Sequence, residues 1–256
     1  MSATLALDGV SVFAGDVALV RAASLRVGAG EAFTLLGETG SGKTLLLNAV
    51  TGTLPPELSA TGTVRILDHV SRAEDGRSRH ACWGRTVGLL PQEPWLALDP
   101  TMRVLPQVAE GYRYVREVEP GEATHRAQAD LDALGLREAA RKYPFMLSGG
   151  MAQRVAFAAM RTGGAPVVLV DEPTKGLDAT LRASIVGILQ GIVREGGTLL
   201  TITHDVAVAR ALGGTIGVML NGEIVEAGPA AQVLGNPQHE YTRRLLAAEP
   251  AAWSAR

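Results

Sequence analysis

Cysteine is nearly absent. Cys82 stands alone among 256 residues, which excludes an intrachain disulfide and any zinc or iron–sulfur site built from cysteines of this chain. It reads as a buried or inert thiol. No stretch approaches the roughly 18 consecutive apolar residues that a membrane-spanning helix needs. The opening MSATLALDGV has no basic segment ahead of an apolar one, as a secretory leader would, so a cytoplasmic protein is expected. A basic excess is also missing: 24 Lys and Arg against 26 Asp and Glu give a net charge of -2 and a pI near 6.2, and nucleic acid is not expected as a partner. His69, His80, His125 and His239 do not fall at metal-ligand spacing. No internal repeat or low-complexity tract is visible, although Ala and Gly are abundant.

What is present is ordinary for a globular chain, with 46% hydrophobic and 20% charged residues in 26.8 kDa, enough to bury a substantial core. Residues 4–36 alternate strand-like runs with turn signals, which predicts β-hairpin material leading into a buried strand. TLLLNAVTG has helical spacing, residues 61–70 read as a strand, and TVGLLP as a short core strand. Between Pro94 and Arg161 helical periodicity dominates, as in QVAEGYRYVREV, EATHRAQADLDALGL and SGGMAQRVAFAAMRTG. That block predicts a helical subdomain inserted into an α/β core. Met146, Met151 and Met160 are expected to serve packing, and the charges of REVEPGEATHR to form a solvated face. Afterwards PVVLV, a helix over LRASIVGILQGIVRE, TLLTIT and GTIGVMLNGEIVEAG restore the alternation of unbroken apolar strands and helices that marks a mainly parallel sheet covered on both faces.

The chemistry begins at GETGSGKT, residues 37–44. It fits G-x-x-x-x-G-K-[ST] between a predicted strand and a predicted helix, the context that the phosphate-binding loop requires. Backbone amides of the loop and of the helix N-terminus face an anion, Lys43 adds a mobile positive charge over β- and γ-phosphates, and Thr44 can ligate Mg²⁺. Lys43 is one of only three lysines, with Lys142 and Lys175, so chance occurrence of the pattern is rare. The nucleotide set is Gly37, Glu38, Thr39, Gly40, Ser41, Gly42, Lys43 and Thr44; the next position, Leu45, is assigned no role. PVVLVDEP then ends an apolar strand in Asp171 and Glu172. Asp171 suits the outer coordination of the metal, and Glu172 can act as general base on the attacking water.

LSGGMAQR at 147–154, DEPTKGLD at 171–178 and TITHD at 201–205 follow in the order and approximate spacing of the nucleotide-binding subunits of ABC transporters. From about residue 5 to 250 the chain resembles that family. The resemblance implies an α/β fold: a P-loop NTPase core of the RecA-like kind, with an N-terminal antiparallel β subdomain and an inserted α-helical subdomain. It places the core in 1–92 and 162–230, the helical signature subdomain in 93–161 and a tail in 231–256, all within one ATPase domain. It also implies ATP and Mg²⁺ as cofactors. Ser148, Gly149, Gly150 and Met151 would complete the site of the opposite subunit. His204 would contact the γ-phosphate and hold Glu172, and Gln92 would sense Mg²⁺ and γ-phosphate with Thr44 and Asp171 as its metal partners. Phe13 would lie against adenine, and Asp178 would communicate across the dimer.

LLPQEPWLALDPTMRV, Met151 within the signature, RTGGAPVVLVDEPT and the tail NPQHEYTRRLLAAEP are similar to the oligopeptide, dipeptide and nickel importer branch. Glu240 stands where that branch usually has proline, so the local turn is expected to differ. Many relatives continue into a cysteine-containing extension with an iron–sulfur cluster; with Cys82 alone, none is expected here. The resemblance implies an ATPase on the inner face of the cell membrane that pairs with a second ATPase subunit, identical or different. Its further partners would be integral permeases, docking near Glu93 to Val108, and indirectly an extracytoplasmic solute-binding protein. The alternative implied by the same motifs is a soluble ABC-type ATPase serving an enzyme complex such as phosphonate carbon–phosphorus lyase. A DNA-repair or translation role fits less well, because there is no basic excess and no long coiled-coil insertion.

Overall fold

The structure, a computed structural model, describes residues 4–248; residues 249–256, counted with the tail above, lie outside it. Two sheets organise these residues. In the first, β1 (Leu5–Ala14), β2 (Val17–Val27), β4 (Leu58–Ile66) and β5 (His69–Arg72) pair antiparallel in the order β2-β1-β4-β5. The second contains β3 (Ala32–Leu36), β6 (Val87–Leu90), β7 (Val167–Asp171), β8 (Thr198–Thr203), β9 (Thr215–Leu220) and β10 (Glu223–Pro229) in the order β10-β9-β3-β8-β7-β6. Its pairings are parallel except the β9–β10 hairpin. Every residue of β3, β7 and β8 is buried, because helices cover both faces, and the sequence shows this as unbroken apolar runs without alternation.

Among the described residues eight α-helices pack around this frame: α1 (Lys43–Thr51), α2 (Val104–Glu110), α3 (Pro120–Ala133), α4 (Gly149–Arg161), α5 (Ala179–Arg194), α6 (Val206–Leu212), α7 (Ala230–Gly235) and α8 (Glu240–Ala247). Five of their starts are fixed by side-chain acceptors at the position just before the helix: Glu119, Ser148, Asp178, Asp205 and His239 cap α3, α4, α5, α6 and α8, each satisfying amides of the first turn. One face of the main sheet buries Leu46 and Val50 of α1 against Leu5 and Val10 of the β subdomain. The other packs Val168 and Val170 against Phe157 of α4 and Leu189 of α5, and runs on without a break into the α2 and α3 core. A third cluster joins Leu36 and Val218 to Val206, Val233 and Tyr241, so the described part of the tail, up to α8, packs on the main sheet.

Arg79 locks the β subdomain to α1. Its guanidinium is 1% exposed and donates to Ala49 O of α1 at 2.9 Å, to Ala73 O at 2.8 Å, to Arg72 O at 2.7 Å and to Ser71 Oγ at 2.7 Å. A buried charge persists only when such acceptors replace water.

Three sequence expectations need adjustment. The strand over 61–70 is two strands, broken at Leu67, whose φ of 50° makes the turn. The helix over QVAEGYRYVREV stops at Glu110 and widens into a π turn over Gly111–Val115. Met151 and Met160 pack against the core as expected, but Met146 sits on a short 3-10 turn before α4 and is 54% exposed. At the position where the branch usually has proline, His239 caps α8 and Glu240 occupies its first turn, where a negative charge suits the helix dipole.

Candidate active site

The C-terminal ends of β3, β6, β7 and β8 converge on one cleft, as parallel α/β sheets arrange their sites. After β3 the chain must turn sharply into α1. Gly40 and Gly42 take φ of 87° and 105°, left-handed values that favour glycine. At Gly37 a Cβ would lie 2.4 Å from the main-chain oxygen of Met219, so only glycine fits there. No side chain caps α1, which leaves its first amides directed at whatever anion occupies the loop.

Lys43 is buried and folds back onto its own loop, donating to Gly37 O at 2.7 Å, Glu38 O at 2.9 Å and Ser41 Oγ at 3.4 Å. Burial lowers its pKa, opposed by the charges of Glu172, Asp171 and Glu38. Thr44 Oγ1 donates to Asp171 Oδ2 at 3.2 Å. The second oxygen, Asp171 Oδ1, is buried with no hydrogen-bond partner among the described residues. Desolvation, reinforced by neighbouring Glu172, pushes the Asp171 carboxyl up to about 6 against the pull of Thr44 and Lys43. An unpaired buried carboxylate oxygen beside a threonine hydroxyl fits the hard, oxygen-seeking Mg²⁺ with its retained waters.

Glu172 follows with φ of 47°, a left-handed backbone that is costly for a residue with a side chain and tends to persist where function needs it. Its Oε2 accepts from His204 Nδ1 at 2.9 Å, from Thr203 Oγ1 at 3.2 Å and from His204 N at 3.4 Å. The carboxylate is therefore aimed from β8 into the cleft, and the His204 ring remains half exposed beside it.

The cleft, about 200 Å³, is lined by Thr39, Gly40, Gly42, Lys43, Thr44, Leu45, Gln92, Glu172, Lys175 and His204. Residues from four separate sequence motifs thus meet in one place. Gln92 comes from just after β6, at the neck of the helical subdomain. Phe13 is half-buried in β1 opposite Ala18 and Ser59 and does not line the cleft. Ser148, Gly149, Gly150 and Met151 stand at the start of α4, also outside it: Ser148 Oγ accepts from Met151 N at 3.4 Å, and a Cβ on Gly149 would meet nothing within 4 Å. Asp178 accepts from Leu181 N at 2.9 Å at the start of α5.

Sequence reasoning passed over four residues. Leu45 and Lys175 line the cleft; the lysine stands out in the sequence as one of three, but no motif there gives it a role. Thr203 orients Glu172. Tyr241 accepts from Glu38 N at 3.1 Å, a contact across 203 positions that no local pattern announces.

The family described as ABC transporter matches residues 20–175. Among curated proteins, the chain is 35% identical over 229 residues to a peptidoglycan transport ATP-binding protein, YejF, of Agrobacterium fabrum, covering 86% of this chain and 42% of that one. It is 34% identical over 246 residues to a probable D,D-dipeptide transport ATP-binding protein, DdpD, of Escherichia coli, covering 93% and 74%. A dipeptide transport ATP-binding protein, DppD, of Bacillus subtilis is 30% identical over 94% of this chain and 73% of its own length. The chain thus spans less than half of the first of these relatives and about three quarters of the other two. Among solved structures, a dimeric ATP-binding cassette, MJ0796, in a post-hydrolysis state bound to ADP and phosphate superposes with a TM-score of 0.76 at 26% identity, over 88% of this chain and 98% of that one.

Proposed function

Because this chain belongs to the ABC transporter family, we propose that it is the ATP-binding and ATP-hydrolysing subunit of an importer. The solute would be a small one such as a peptide or a nickel or other metal chelate, moved through partner permeases. The observation that carries this reading is the single cleft shared by the P-loop, Gln92, Glu172 and His204, with Asp171 bonded to Thr44 at its edge. The transport names of the similar proteins support the importer branch and give the enzyme-complex alternative no support.

The residues divide the work as follows. The loop amides and Lys43 hold the β- and γ-phosphates. Thr44, Asp171 and Gln92 would hold Mg²⁺, which when bound neutralises charge between those phosphates. Glu172 takes a proton from water as the water oxygen attacks the γ-phosphorus in line; the bond to the β-γ bridging oxygen breaks, and ADP and phosphate leave. His204 keeps the carboxylate aimed through Nδ1 and presents its other edge to the γ-phosphate. The loop Ser148 to Met151 lies at the positive end of α4 and outside the cleft, so it serves the nucleotide of a partner subunit placed head to tail. Asp178 would adjust with it across that interface. Phe13 would contribute to the base site from the β subdomain.

Among the described residues no helix is long and apolar enough to cross a membrane, so attachment to the inner face of the membrane would run through permeases. Glu93 to Val108 is the docking segment. Pro94, Ala97 and Leu98 from that segment border an apolar groove of about 450 Å³, with Trp83, Leu89 and Met160 on the other walls. The test is affinity purification of the tagged chain from its native cells in mild detergent, followed by mass spectrometry. Recovery of two polytopic permeases is expected. Recovery of soluble enzymes without any membrane protein would overturn the transport role and leave the ATPase site standing.

A further inference from the structure

One peptide unit of the P-loop is held from both of its ends. The carbonyl of Gly37 accepts from Lys43 Nζ at 2.7 Å. The N–H of the same peptide, Glu38 N, donates to the hydroxyl of Tyr241 at 3.1 Å. Tyr241 reaches it from a fixed base: the ring is 5% exposed and packs in the cluster of Leu36, Val206 and Val233. The turn into α8 is pinned where the Glu226 carboxylate accepts from Gln238 N at 2.8 Å and His239 N at 3.0 Å.

We propose that Tyr241 is a positioning residue for nucleotide binding, its hydroxyl fixing the Gly37–Glu38 peptide so that the Gly37 carbonyl holds Lys43 at the floor of the phosphate cradle. The inference rests on the reading of this cleft as an ATP site. An N–H engaged by an acceptor polarises its own carbonyl, and hydrogen bonds in such a chain strengthen one another. Lys43 gains most from this, since a buried ammonium must replace lost water with well-directed acceptors. Without the hydroxyl the peptide is free to rotate, the carbonyl leaves Nζ, and the charge that meets the phosphates is no longer pre-placed, so part of the binding energy goes into ordering it.

The experiment compares the full chain with Tyr241→Phe, which keeps the ring and removes only the oxygen. Three readouts are taken: hydrogen exchange of the Glu38 amide without nucleotide, Kd for ATP, and KM against kcat for hydrolysis. Expected are faster exchange at Glu38, a Kd and KM raised about three- to tenfold, the worth of one hydrogen bond, and a kcat within about twofold of wild type. In a Lys43→Met background the same change should add little to Kd, because the tyrosine acts through the lysine. A role in packing alone would lower Tm and leave the ratio of KM to kcat unmoved. Unchanged Glu38 exchange, unchanged Kd, or a full additive loss in the Lys43→Met background each overturns the inference. A wild-type chain that binds no ATP would overturn the ATPase reading along with it, whereas equal ATP binding by both chains would overturn the inference alone.

Discussion

Thr44 donates its hydroxyl to Asp171 across 3.2 Å, joining the second residue of α1 to the last residue of β7. The pair sets a carboxylate where it would face the metal and the phosphates, and Glu172, one residue on, projects into the adjoining cleft. From that arrangement come expectations for both carboxylates.

Replacing Glu172 with Gln removes the base and preserves the shape. ATP should still bind with near wild-type Kd, and phosphate release should fall by about 10²- to 10⁴-fold, the usual worth of a positioned general base. Wild-type turnover in this variant, measured by single-turnover phosphate release, would remove Glu172 from the chemistry.

Asp171 costs stability because it is ionised in a buried place. Its folded pKa of about 6 stands above the ordinary 3.8, so the folded state binds the proton more tightly, and the penalty grows as pH rises from 3.8 through 6. Asp171→Asn should therefore stabilise the nucleotide-free chain at pH 7.5 by on the order of 2 kcal/mol, with the gap narrowing at pH 5. Urea unfolding at the two pH values measures this. The same variant should lose most of the thermal shift that wild type gains from Mg²⁺ and ATP.

Gly149 separates folding from assembly. A Cβ there meets nothing within 4 Å, and an Asp in the first turn of α4 suits the helix dipole. Gly149→Asp should leave Tm and ATP affinity of the single chain unchanged. Steady-state hydrolysis should fall at least about tenfold, because on the proposed head-to-tail pairing a new anion would repel the partner's phosphates. Retained hydrolysis would place this loop outside the shared site.

Arg79→Met tests the fold alone. It strands the carbonyls of Ala49 and Ala73 that the guanidinium now satisfies. Unmet buried acceptors of this kind should cost about 3 kcal/mol or more, lowering Tm by roughly 10 °C for a chain of this size. Differential scanning calorimetry reads the shift.

The cleft was legible in the sequence to the extent that each residue sits at a strand end marked by a change of composition. GETGSGKT follows AFTLL and DEP follows VVLV, and parallel strands deliver their C-terminal ends to one edge, so motif order was enough to bring Lys43, Glu172, His204 and Gln92 together. Backbone conformation was not legible at Glu172: its left-handed φ accompanies side-chain bonds to Thr203, at the end of β8, and to His204 just past it, and neither partner is near in sequence. Tyr241 was hidden for a different reason: its partner is a main-chain amide, which every residue type except proline offers. Met146 misled because its helical spacing relative to Met160 spans the 3-10 turn and the cap at Ser148, where the period restarts. Phe13 could be placed on β1, but not in the cleft.

The contact between Tyr241 and Glu38 also orders events in time. A chain emerging from the ribosome presents its P-loop early and can pair β3 only once β8 has followed, but the anchor for that loop lies 203 positions beyond Glu38. On the role proposed for Tyr241, full grip on nucleotide would come only once synthesis has passed α8. A nascent chain would carry a slack loop through most of translation, and a product cut short before Tyr241 would compete poorly with the finished protein for cellular ATP.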